Sequence, residues 1–158
     1  MHNSQHWIQT LQLEPHPEGG FYRRIYQSTQ TVQTASGKRP CATAIHYLLE
    51  SHDFSAWHKI KSDETWFHHA GAPIIIRTLD SKGVLNEYVL GQHMLSLTVN
   101  ADTWFCAQIH TDDENTYTLC SCMVSPGFDF ADFEMGTAAN LIKQYPEHKN
   151  ILSQLCRK

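Results

Sequence analysis

The stretch Phe54-Ser-Ala-Trp-His58-Lys-Ile60-Lys-Ser-Asp-Glu64-Thr-Trp66-Phe-His68-His69-Ala-Gly71 carries the reading of the fold. It contains two runs rich in aromatic and β-branched residues, separated by polar Lys61–Asp63. Side chains of a strand alternate faces, so Phe54, Ala56, His58 and Ile60 are expected on one side of the first run. Glu64, Trp66 and His68 are expected on one side of the second. A short turn at Lys61–Asp63 would set His58 opposite Glu64 across a hairpin. A neutral imidazole beside a carboxylate can ligate a divalent metal, or shuttle protons with the carboxylate fixing its tautomer.

Outward from this window, further short β-type runs follow on both sides. They cover residues 21–28, 42–49, 74–79, 84–90, 95–99, 103–110 and 117–124, with turn chemistry between them at 35–38, 80–83, Gly91, 100–102 and 111–115. Eight or nine short strands so spaced predict an all-β closed barrel or jelly roll. Asn3 or Ser4 can cap a first helix whose Trp7, Ile8 and Leu11 share a face, and Glu14–Gly20 breaks it with two prolines and two glycines. Helical patterning returns over 137–145 and 146–156, with Pro146 suited to a first turn. The expected order is helix, barrel and two C-terminal helices in one domain, residues 1–158.

Composition removes several function classes. The chain has 158 residues, 41% hydrophobic and 18% charged, with twelve Lys and Arg against sixteen Asp and Glu. This net charge of −4, with basic residues only in pairs, argues against a nucleic-acid partner. No apolar run approaches the ~20 residues of a membrane helix, and no signal peptide is evident. The five cysteines are an odd count without secretory context and read as reduced thiols of a cytoplasmic protein. Cys120 and Cys122 share a strand face and read as small buried hydrophobes. Of the eleven histidines, His2, His6, His16, His52, His93, His110 and His148 fall at helix ends and turns and read as mostly solvent-facing.

The spacing of His58, Glu64 and Gly71 resembles the first motif of the cupin superfamily, His-x-His-x(3,4)-Glu-x(6)-Gly, with Ile60 in place of the second His. Three stretches are similar to one cupin-like branch without an assigned reaction: Leu13-Glu-Pro-His-Pro-Glu-Gly-Gly-Phe-Tyr-Arg23, Asp63-Glu64-x-Trp66-x-His68-x-Ala70-Gly71 and Val124-Ser-Pro-Gly-Phe-Asp-Phe-Ala-Asp-Phe-Glu134. The resemblance implies a double-stranded β-helix, usually homodimeric, with a small-molecule pocket in the barrel mouth. In the second cupin motif, Asn100 and Asp102 stand at the usual Pro and Gly, and Phe105 stands where the last His ligand would be.

Three functional readings follow. The first is a metal-free epimerase or isomerase, by fold analogy with barrel enzymes acting on nucleotide-linked keto-sugars. In it His58 is the base, Glu64 its orienting partner, and Tyr22, Tyr26 or Tyr47 the acid. The second is a metal-dependent dioxygenase or isomerase, with His58, Glu64 and a third ligand from His68, Gln108 or His46. The third is a non-catalytic binding module. The expected pocket centres on His58, Glu64, Trp66 and His68, with Tyr22, Tyr26, Arg23, His46 and Gln108 as further ligand-binding candidates. An inward Arg, 23 or 24, would suit an anionic group on a small polar metabolite. The expected cofactor is a divalent metal or none, with none favoured.

Overall fold

In the computed structural model the described residues are 3–111, 113 and 115–157; His2 and the turn positions Asp112 and Glu114 lie outside them. A short helix α1 (Ser4–Thr10) is capped by the Asn3 side chain, which accepts from the His6 amide. Strands follow as β1 (Glu14–Pro15), β2 (Phe21–Gln27), β3 (Thr31–Thr34), β4 (Gly37–Pro40), β5 (Thr43–Glu50), β6 (Phe54–Ile60), β7 (Asp63–Gly71), β8 (Ile74–Leu79), β9 (Leu85–Leu90), β10 (Ser96–Val99), β11 (Trp104–Ile109) and β12 (Tyr117–Ser125). A 3-10 turn at Phe130–Asp132, strand β13 (Phe133–Met135), helix α2 (Ala138–Gln144), a 3-10 turn at Pro146–His148 and helix α3 (Lys149–Gln154) complete the order.

Two sheets face each other in a jelly roll. One runs β1-β2-β5-β12-β7-β10 and the other β13-β6-β11-β8-β9, while β3 and β4 form a separate hairpin. The runs over 54–60 and 74–79 agree with β6 and β8 end for end. Strands β1, β3, β4 and β13 are not among the expected runs, because each has four residues or fewer and so carries too short a pattern to mark it.

Between the sheets lies a core of Tyr47, Leu49, Trp66, Ile74, Ile76, Leu90, Phe105 and Cys120. A second cluster forms where α2 and α3 cover the outer face of the five-stranded sheet, burying Trp57, Leu79, Trp104 and Cys106 under Leu141, Leu152 and Leu155. Helix α1 covers Leu48 and Leu119 of the other sheet with Trp7, Ile8 and Leu11. Among the described residues no helix is long and apolar enough to cross a membrane.

Two features of the decisive window differ from the alternating hairpin expected. First, β6 and β7 belong to opposing sheets, because the chain crosses from one to the other at residues 61 and 62. Second, β6 carries an irregularity: Phe105 pairs with His58 but Ala107 pairs with Ser55, so Ala56 and Trp57 of β6 stand opposite the single Cys106 of β11. Such a bulge resets the alternation. Phe54 and Trp57 therefore both pack toward the helices, and Ser55 and His58 both face inward. The Asn100–Asp102 turn forms as its chemistry requires, with Asp102 at φ 58° and the Ala101 amide donating to Asp63.

Gly71 ends β7 at φ +87°, and a Cβ there would lie 2.0 Å from the Tyr117 carbonyl oxygen on β12. Only glycine meets both demands. Gly71→Ala is expected to lower unfolding free energy by at least ~2 kcal/mol in urea denaturation. An unchanged midpoint would show that β7 can end without it.

Candidate functional site

A cavity of about 360 Å³ opens between the sheets, lined by Glu14, His16, Glu18, Tyr22, Arg24, Thr43, Ile45, His58, Ile60, Glu64, Cys122, Val124, Phe128, Phe130 and Phe133. Strands β2, β5, β6, β7 and β12, the Pro-rich segment before β2 and the aromatic segment after β12 each contribute. Phe130 is half exposed at the mouth, and its ring packs against Phe128 and Phe133 at 4.9 and 6.0 Å.

His58 is the centre of the polar network. Its Nδ1 lies 2.6 Å from the Ala56 carbonyl within the bulge. A carbonyl only accepts, so Nδ1 carries the hydrogen and Nε2 is the nitrogen that exchanges protons. Nε2 lies 3.1 Å from Glu18 Oε2, with both side chains almost fully buried. A lone pair facing a carboxylate at that distance would repel it, so the pair shares one proton. Glu18 Oε1 accepts from Ser55 Oγ at 3.0 Å.

His16 completes the group. The Glu18 amide donates to His16 Nδ1 at 3.2 Å, which leaves the hydrogen of the neutral ring on Nε2. Burial pushes the His16 pKa down and nearby His58 adds to this, only partly opposed by Glu18. His16 is therefore a neutral donor in the cavity wall. The expectation of a solvent-facing His16 is corrected, because the turn of residues 16–20 folds inward over β2 and β5.

Glu64 stands on β7, in the sheet opposite His58. Burial first, and the charge of Glu18 second, push its pKa up to about 8, against a smaller lowering by a hydrogen bond with the Cys122 thiol. At neutral pH it is mostly a carboxylic acid, able to donate.

The site thus brings together His58, Glu64 and Tyr22 of the sequence-derived candidates. The others lie elsewhere. Trp66 is fully buried in the core one pleat repeat beyond Glu64, edge-on to Tyr47. His68 is four residues along β7 from Glu64, roughly 13 Å at strand rise, and its Nε2 bonds the Ala72 carbonyl. Arg23 bonds Gln12 outside the cavity, and Arg24, on the opposite face of β2, is the arginine in the lining. Tyr26 follows a bulge in β2 and is half exposed. His46 bonds Ser121 on the sheet's outer face, and Gln108 accepts from Arg77. Tyr47 donates to the Gly19 carbonyl at 2.7 Å and is fully buried. The partner of His58 is Glu18, which was not singled out in the sequence. The signal was present in the quoted Pro-His16-Pro-Glu18-Gly-Gly motif, an acid-base pair held before two glycines.

The residues present do not fit a cupin metal centre. Ile60 lines the cavity where the motif has its second His, and the ring of Phe105 lies 4.1 Å from that of His58. The exchanging nitrogen of His58 is taken up by Glu18. Among the described residues no three His, Cys, Asp or Glu side chains converge to hold an ion.

A two-sheet β barrel with a mixed polar and aromatic pocket between the sheets has the architecture of a cupin. Residues 5–136 match the family described as Cupin superfamily (DUF985), and the chain belongs to that family. A hypothetical protein from Leishmania major is similar over 99% of this chain and 100% of its own, at 33% identity and a TM-score of 0.93. A protein from Shewanella oneidensis is 33% identical, covering 99% of both chains, with a TM-score of 0.91. Oxalate decarboxylase from Bacillus subtilis shares the fold alone, at 11% identity and a TM-score of 0.58 over 89% of this chain and 36% of that one. No curated protein gives a significant match.

The raised Glu64 pKa predicts a pH dependence of stability. The folded group binds its proton more tightly than the unfolded one, whose value is near 4.5. Its contribution is therefore complete below pH 4.5 and lost as pH rises through about 8. The gap corresponds to on the order of 5 kcal/mol. Glu64→Gln removes this dependence, so its advantage over wild type in urea midpoint should grow from pH 5 to pH 9. A constant difference between the two proteins would overturn the neutral-acid assignment.

Proposed function

We propose that this cupin barrel is a proton-transferring isomerase or epimerase of a small, polar, sugar-like metabolite. The observation that carries the reading is one cavity with an imidazole–carboxylate pair on one wall and a neutral carboxylic acid on the facing sheet. In the reactive form the shared proton has left the pair, so Nε2 is a free base beside the Glu18 carboxylate. Nε2 takes the proton from the carbon next to a substrate carbonyl. The imidazolium so formed is stabilised by Glu18, as a carboxylate stabilises it in other acid–base sites. The electron pair moves onto the carbonyl oxygen as an enolate. Glu64 then delivers its proton to the same carbon from the other face, inverting the centre, and both groups re-equilibrate with solvent.

His16 Nε2–H and the Tyr22 hydroxyl are the neutral donors suited to the developing enolate oxygen. Arg24 offers the cation for an anionic substituent. The aromatic rings at the mouth supply apolar contact while the polar groups orient the ligand. Glu18 replaces Glu64 as the partner of the base, and Glu64 takes the acid role expected of a tyrosine.

The test is proton NMR in D2O with a panel of ketohexoses and nucleotide-linked keto-sugars, following loss of the signal α to the carbonyl. Wild-type protein should catalyse the exchange, and His58→Ala and Glu18→Gln should each slow it roughly 10²–10³-fold. Undiminished exchange in His58→Ala would sink the assignment. An inert wild type that retains an unaltered metabolite through purification would indicate a binding module instead.

A further inference from the structure

The two partners of the shared proton sit on separate elements, Glu18 on the loop between β1 and β2 and His58 on β6. A guanidinium from far along the chain joins those elements. Arg157, beyond α3, donates from Nη2 to the Glu18 carbonyl at 3.1 Å, the Phe54 carbonyl at 2.5 Å and Asp53 Oδ1 at 2.5 Å. Its Nε also approaches the Glu18 carbonyl at 3.3 Å, and the group lies 4.0 Å above the Phe54 ring. Asp53 closes the other half of the bridge, with Oδ2 accepting from the Gly20 amide at 2.8 Å and Oδ1 from the Phe54 amide at 2.8 Å.

The fit is close. Gly19 has φ +117°, and a Cβ there would lie 2.1 Å from the Phe54 carbonyl oxygen as well as 1.9 Å from Arg157 Nη2, so the loop can take this path only with glycine between Glu18 and Gly20. The Ala56 amide donates to the same Glu18 carbonyl at 2.9 Å, and the Leu155 carbonyl accepts from the Trp57 amide. The tail thus runs against β6 at the residues that form the bulge.

We propose that Arg157 and Asp53 are positioning residues for the Glu18–His58 pair: they fix the main chain of residue 18 against β6 so that its carboxylate meets His58 Nε2. This rests on the reading of that pair as the proton-transfer centre. Neither residue lines the cavity. The Arg157 side chain is 37% exposed, so replacing it leaves the core intact.

The experiment compares wild type, Arg157→Ala, Arg157→Lys and Asp53→Asn by amide hydrogen exchange and by 15N NMR of the His58 ring. Expected for Arg157→Ala and Asp53→Asn is at least tenfold faster exchange at Gly20, no change along β8, and a displaced His58 Nε2 signal, with Arg157→Lys intermediate. A wild-type His58 signal in Arg157→Ala overturns the proposal. So does exchange accelerated equally everywhere, which would make Arg157 a general stabiliser. The outcome is separable from the fate of the proposed function. A displaced His58 signal in Arg157→Ala, together with undiminished deuterium exchange in His58→Ala, would keep the clamp and remove the proton-transfer reading.

Discussion

The pocket depends on one contact, the 3.1 Å approach of Glu18 to His58 Nε2 in a nearly dry setting. Two ionisable groups taken from water lose their hydration, and their mutual attraction offsets this only when the remaining lone pairs and protons are satisfied. Here they are satisfied one by one. Ser55 serves Glu18 Oε1 and the Ala56 carbonyl serves His58 Nδ1. The bulge in β6 is what permits it, because Ser55 and His58 are three residues apart and a regular strand would turn one of them away.

The same contact explains the glycines that follow Glu18. Gly19 and Gly20 have φ of +117° and +72°, and a Cβ at either would lie within 2.6 Å of a backbone oxygen of β6 or β5. The loop must lie directly on the sheet for a short carboxylate side chain to reach the barrel interior. His16 is carried in with it, where burial keeps its ring neutral. The cavity then holds a paired base, a neutral imidazole and a neutral carboxylic acid, with Glu18 contributing the charge that helps keep Glu64 protonated. Ile60, in the same cavity, deepens this effect. An apolar group there withholds solvation that would otherwise let Glu64 ionise.

How much of this could be read from the sequence divides by the range of the interaction. Strands β6 and β8 were legible to the residue because hydrophobic runs and turn residues mark them locally. The inward position of His58 and Glu64 was legible from the motif spacing, although their relation was not. Whether the chain turns back in a hairpin or crosses to the facing sheet at residues 61 and 62 depends on the other strands, which compete for pairing. Alternation misled at the bulges, while other candidates lie on the outer faces of their strands or too far along them. His68 and His69 adjoin the irregularity opposite Leu119 and Cys120, and Tyr26 follows the one in β2. Glu18 was hidden for a different reason. Its role arises from a contact across forty residues with β6, and a Pro- and Gly-rich segment carries no periodicity to aim it.

The C-terminal helices show why the fold extends past the residues shared with the family description, which end at 136. The bulge that turns His58 inward also turns Phe54 and Trp57 outward together, onto a face that already carries Leu79, Trp104 and Cys106. Two adjacent outward aromatic positions on one strand would leave a large apolar surface in water. Helices α2 and α3 cover it with Leu141, Leu152 and Leu155, and Gly136 makes room where the cover begins, its amide donating to the Trp57 carbonyl at 2.7 Å. The local defect that builds the pocket on one face of β6 therefore creates the demand for the helices on the other. The tail that answers this demand runs past β6 to residues 18–20, so the cover and the base of the pocket are held by one continuous segment.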